Sequence, residues 1–126
     1  MAIPGLIRNF TATGEIKPNR VVAVDVGDFM ASQATGVASN ALGVTEQGTD
    51  KHLRVDVVMG QIAPVEFGGD FNGGEWAVPD TQGRVVPFDA VTFAEDEVIN
   101  IVGKVLEAGD TGTIGDIHVT PFLIVK

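Results

Sequence analysis

Cysteine is absent from this chain, which removes disulfides, thiolate metal sites and cysteine nucleophiles from consideration. Its absence fits folding in a reducing cytoplasm. Tyrosine is also absent, and Trp76 is the single tryptophan beside seven phenylalanines. Basic residues are few, eight Lys and Arg against 17 Asp and Glu, for a net charge of −9. The basic residues are scattered and form no stripe, so the counterion release that drives nucleic-acid binding has no source here. No stretch approaches the roughly 20 apolar residues of a membrane helix. The first ten residues, MAIPGLIRNF, have no charged region ahead of a long apolar run and do not read as a signal peptide.

What is present points to a globular domain. The chain has 126 residues, 44% apolar and 20% charged. That is one domain's length, and folding at this size buries about two-thirds of the unfolded surface. Sixteen glycines and six prolines mark many turns, hence many short elements, which favours an all-β fold.

Residues 21–26 (VVAVDV) are β-branched and end at Gly27-Asp28, a strand followed by a turn. Residues 29–43, rich in Ala, Ser and Gly, read as a loop with one short strand. Gly43-Val44-Thr45 starts another strand, ended by the polar loop 46–51. From Leu53 to Met59, Leu53, Val55, Val57 and Met59 alternate with Arg54 and Asp56, the period of a half-buried strand. A second strand, 62–67, follows Met59-Gly60-Gln61. It contains Pro64, which cannot donate to a ladder and so marks an edge or a bulge.

The glycine-rich turn 68–74 leads to a short strand, 76–78. Asp80 to Gly83 reads as a hairpin turn into 84–87. Residues 89–97 stay open between loop and short helix. The strand 100–106 carries Gly103, a sign of a bulge or close packing, and the turn AGDTG leads to a last strand, 114–125, with Pro121 near its middle. The expected fold is a small compact β-barrel or sandwich of about eight to ten short strands.

The residue types that carry chemistry do not assemble. Asp110-Thr111-Gly112 matches the aspartic-protease triplet, but that mechanism needs a flap and a second apolar strand after the triplet, and one strand's length remains. The triplet fits a plain turn. His52 and His118 lie far apart in sequence, and a zinc site wants three or four ligands at defined spacing. Neither Ser32 nor Ser39 sits in a Gly-x-Ser-x-Gly elbow. Asp25, Asp28 and the run Glu95-Asp96-Glu97 lack calcium-loop spacing. Gly68-Gly69 and Gly73-Gly74 lack the lysine and helix of a phosphate loop. The expectation is a protein that is not an enzyme, with no cofactor and no metal.

The order of segments resembles that of bacteriophage head decoration proteins, also called capsid cement proteins. A Gly43-Val44 step precedes a polar loop, then come RVDVV (54–58) and QIAPVEFGG (61–69). An Asp80 to Gly83 turn follows, then IVGKV (101–105), AGDTGTIGDI (108–117) and a strand reaching Pro121. The likeness spans residues 43–121. It implies a structural virion protein that binds the outer surface of a phage capsid, with the major capsid protein as partner, and stabilises the expanded shell. It also implies self-association, a trimer being one state and monomers the other left open, with no nucleic acid and no membrane involved. Residues 1–13 are expected to form an extended N-terminal arm with Ile3, Leu6, Ile7 and Phe10 on the shell, and 14–126 a single β domain. Phe71 and Trp76 are candidates for an oligomer interface, although Trp76 after a glycine turn also suits a core. The alternative is a virion adhesion or carbohydrate-binding β domain, which wants exposed aromatics over a groove.

Overall fold

The fold is that of a computed structural model, which describes residues 3–4, 6–25, 27–90 and 97–125, with the backbone alone at 3, 4 and 90. Eleven strands follow one another: β1 (Ile3–Pro4), β2 (Ile7–Ala12), β3 (Arg20–Val24), β4 (Met30–Gln33), β5 (Ala41–Thr45), β6 (Arg54–Val58), β7 (Gln61–Glu66), β8 (Trp76–Pro79), β9 (Val85–Pro87), β10 (Val98–Val105) and β11 (Ile114–Val125). One 3-10 turn, Phe88–Ala90, follows β9, and the acidic run 95–96 lies outside the described residues. Strands β2-β4-β3-β5-β6 close into a barrel, and β1-β7-β11-β10-β8-β9 form a six-stranded sheet. The all-β expectation holds, as a barrel packed on a sheet.

Three apolar clusters account for the packing. Phe10, Ala12, Ile16, Val22, Ala31, Val55 and Val57 fill the barrel. Val21, Ala23, Val44 and Val58 on the barrel wall meet Ala63, Val65, Phe67, Val102, Ile117 and Val119 of the sheet. This explains the unbroken apolar run in β3: Val22 points into the barrel while Val21 and Ala23 point at the sheet, so both faces of the strand are buried. Val78, Ile99 and Ile101 form a smaller cluster under Val86, Phe88 and Ile124.

Residues 7–12, read from sequence as part of an arm, are a barrel strand. Strand β2 pairs antiparallel with β6 from Ile7↔Val58 to Thr11↔Arg54 and parallel with β4. Without β2 the barrel would not close, and β6 would present a bare edge. The outer row of this pair is tied by polar groups: Asn9 Nδ2 donates to Asp56 at 2.8 Å, and Arg54 Nε donates to Asn9 Oδ1.

Pro64 obeys the edge rule within a paired strand. Phe67 N–H donates to Thr113 O, whereas Glu66 N–H donates to Asn19 O on the opposite side. Even-numbered positions of β7 therefore turn away from β11, and β1 reaches only Gln61 and Ile62. The missing amide of Pro64 falls where no strand needs it, and its carbonyl accepts from Asn19 Nδ2 at 3.2 Å. Gly103 sits where β8, β10 and β11 meet, and the β10–β11 register shifts between Ile101 and Gly103.

An ionic clasp joins barrel to sheet. Arg20, nearly buried on β3, pairs with Glu66 on β7 at 3.0 Å. Glu66 also faces Arg84 at 3.9 Å, and Arg84 Nε pairs with Asp80 at 3.0 Å. The Asp80 carboxylate shapes its hairpin turn by accepting the amides of Gln82 at 2.8 Å and Arg84 at 2.9 Å.

Candidate functional site

The groups tested for chemistry stay apart in space. Asp110 lies exposed in a turn, its carbonyl accepting from Thr113 N–H at 3.0 Å, with Gly112 at φ 92°. His52 occupies a left-handed turn position before β6, while His118 projects from β11. The Asp25 carboxylate accepts from the Thr13 hydroxyl at 2.6 Å. Among the described residues no three His, Asp or Glu side chains converge as a metal cage would require.

The surface offers apolar contact instead, in two regions. The first is the sheet face turned away from the barrel. Trp76, Lys104, His118 and Ile62 lie in one row across β8, β10, β11 and β7 by register. Trp76 is 39% exposed. Its ring meets Phe122 edge to face at 5.3 Å between centroids, and the Lys104 ammonium sits 4.8 Å from the ring centre. Leu106 and Ile114 add to this exposed set. A shallow hollow of about 350 Å³ opens between Gln61, Ile62, Leu106 and His118. Past the bulge β11 loses its polar alternation: Phe122, Leu123 and Val125 are 42%, 57% and 63% exposed.

The second region lies on the barrel, where Leu6, Ile7, Phe29 and Leu53 are exposed. Arg8 stacks over the Phe29 ring at 4.5 Å, and a groove of about 540 Å³ runs between Ile7, Asn9, Glu46, Arg54 and Asp56.

With this geometry in view, comparison with solved structures gives a fold likeness. The chain is similar to the N base of the head fiber gp8.5 in bacteriophage phi29. The likeness covers 91% of this chain and 93% of that one, at 18% identity and a TM-score of 0.66. At this identity it is a likeness of fold. No family model matches the chain, and no curated protein matches it.

The residues singled out from sequence divide between surface and core. Leu6 and Ile7 are exposed, and Ile3 lies in β1 opposite Ile62. Phe10 is 7% exposed inside the barrel, so its side chain holds the fold and does not reach a shell. Phe71 is 4% exposed and packs on Phe67 with 4.7 Å between ring centroids, so it too is core. Trp76 is the member of that pair that faces outward. Phe122, Leu123, Val125 and Lys104 were not singled out from sequence. Their signal was present: the run Phe122-Leu123-Ile124-Val125 has no polar partner, so one face of the strand must stay uncovered unless another element packs on it.

Proposed function

We propose that this chain is a structural virion protein that binds the outer surface of a phage capsid, with the major capsid protein as its partner, and stabilises the expanded shell. The observation that carries this reading is the fold likeness to a phage head fiber base along nearly the whole of both chains. The surface supports it: exposed large apolar residues lie on both the barrel and the sheet, and contact of this kind needs no catalysis. Each contact is small, but many copies on one shell stabilise it by mass action. Leu6 and Ile7, exposed beside the polar row Asn9–Asp56, are the shell-contact candidates retained from the N-terminal segment.

The test is co-sedimentation of the purified chain with expanded capsids of its own phage that lack it, counting copies bound per shell. Saturation at a fixed multiple of the capsid subunits, with a raised shell melting temperature, is the expected result. No binding to either expanded or unexpanded shells would overturn the reading. Retained binding to host-cell glycans in that case would favour the adhesion module.

A further inference from the structure

The outer edge of β11 is the least finished part of the fold. Strand β7 pairs with β11 only as far as Val119↔Gln61, and among the described residues no strand continues beyond it on that side. The direction of the free groups follows from the ladder. Asn100 N–H donates to Val37 O at 2.8 Å, away from β11. Alternate residues of an antiparallel strand turn to opposite edges, so Ile99 and Ile101 bond to their register partners Ile124 and Phe122. Leu123 and Val125 then aim both N–H and C=O at the open edge, and Pro121 aims its C=O there.

We infer that this edge pairs with the same edge of a second copy of this chain about a two-fold axis at Leu123. In that register Leu123 exchanges two N–H···O bonds with Leu123 of the second copy. Each Val125 N–H reaches the Pro121 carbonyl opposite, and the one missing donor, Pro121 N, faces the Val125 carbonyl. Cross-strand neighbours are Leu123 with Leu123, Phe122 with Ile124, and Pro121 with Val125, so every pair is apolar.

The edge is complementary to its own copy in this register, and charge does not oppose the pairing there. The chain carries −9, so two copies repel over most of their surface, yet Val119 to Val125 (VTPFLIV) holds no charged residue. Exposed, uncharged and β-branched edges are templates for strand addition. The contact is small beside the roughly 20–30 residues a side of a standard interface, so it is weak in solution and gains from the high local concentration on a shell. It rests on the β11 edge alone and does not depend on the shell-binding reading.

The experiment uses the full chain. Sedimentation over a rising concentration series is expected to show reversible dimer. Leu123→Lys, which sets two ammonium groups against each other across the axis, is expected to weaken the dimer severalfold with unchanged melting. Because the chain has no cysteine, Leu123→Cys gives a clean readout. The Cα atoms of a hydrogen-bonded pair lie about 5.5 Å apart, within disulfide reach, so oxidation is expected to yield covalent dimer, while the equally exposed Ile114→Cys yields none. A wild-type chain that stays monomeric throughout the series, or forms a trimer, would overturn the inference. So would a Leu123→Lys dimer as tight as the wild-type one, or cross-linking of Ile114→Cys as fast as Leu123→Cys.

Discussion

Gly103→Ala tests the packing at the junction of three strands. Gly103 pairs with Ala77 on one side and Val119 on the other, so β10 has no free direction in which to slide. A Cβ there would lie 2.1 Å from His118 O, 3.0 Å from its carbonyl carbon and 3.3 Å from Thr120 N. These are backbone atoms, and no flexible side-chain tip can give way. Merely reaching 3.0 Å from the oxygen moves the strands apart by about 0.9 Å, enough to break ladder bonds. Overpacking costs about 1–3 kcal/mol, and the lower entropy of the unfolded alanine chain returns about 0.4–1 kcal/mol. Because the clash is backbone on backbone, the upper range applies, and a net loss of about 2 kcal/mol is expected. That corresponds to about 6–10 °C in Tm at this chain length.

Urea unfolding read by fluorescence is the assay, since Trp76, the single tryptophan in a chain without tyrosine, lies opposite Lys104, the next residue on β10. Gly14→Ala is the control: nothing lies within 4 Å of its Cβ position, so it is expected to be neutral or slightly stabilising. A Gly103→Ala midpoint equal to that of Gly14→Ala would refute the argument.

Glu66→Ala is expected to cost about 1–3 kcal/mol in chemical unfolding, less than a fully buried pair because Glu66 is a quarter exposed, and Glu66→Gln should recover part of it. Phe67→Ala is expected to cost about 3–5 kcal/mol, because Phe67 is fully buried against Phe71 and beside the backbone of Gly109 and Gly115; a smaller loss would mean the sheet collapses into the cavity. Ile7→Ser should weaken shell binding while changing stability by no more than about 0.5 kcal/mol, whereas Phe10→Ala should lower Tm sharply; calorimetry beside co-sedimentation separates the two. Removing residues 1–10 should unfold the domain, visible in far-UV circular dichroism, since it takes away most of β2 and Phe10.

The elements most legible in the sequence were those with one buried face or a turn of fixed chemistry. The alternation of Val55 and Val57 with Arg54 and Asp56 gave β6, and Asp80 to Gly83 gave the hairpin between β8 and β9. Gly103 and Pro64 announced a register shift and an edge-facing amide. Strand β2 was hidden because Pro4 and Gly5 precede it and its inward positions, Phe10 and Ala12, are too few for periodicity to show. In sequence Gly43-Val44-Thr45 looks like the start of a strand that it in fact ends, β5 running Ala41–Thr45, because Ala and Gly carry little strand signal. Phe71 and Trp76 are close in sequence, and composition does not say which of the two turns inward. That depends on the Gly109 amide, which donates to Phe71 O at 3.1 Å and draws the loop over Phe67. The surface was the least legible part, because an exposed apolar residue is identified only once its neighbours fail to cover it.

The barrel is one uninterrupted excursion of the chain. It leaves the sheet after β1 and returns at β7, and these two strands lie side by side, Ile3 opposite Ile62 and Pro4 opposite Gln61. A two-residue bridge gains too little to repay the entropy of closing the long loop between Pro4 and Gln61. Only a formed barrel, which already brings Leu6 to Met59 through the bond from Met59 N–H to Leu6 O at 2.8 Å, makes that closure cheap. The topology therefore makes the β1–β7 bridge depend on barrel closure, since β1 gains its pairing only once the barrel holds the two ends together. By the same logic β1 is the first piece to fray, so the segment nearest the shell-contact candidates Leu6 and Ile7 is also the one whose order reports whether the barrel is complete.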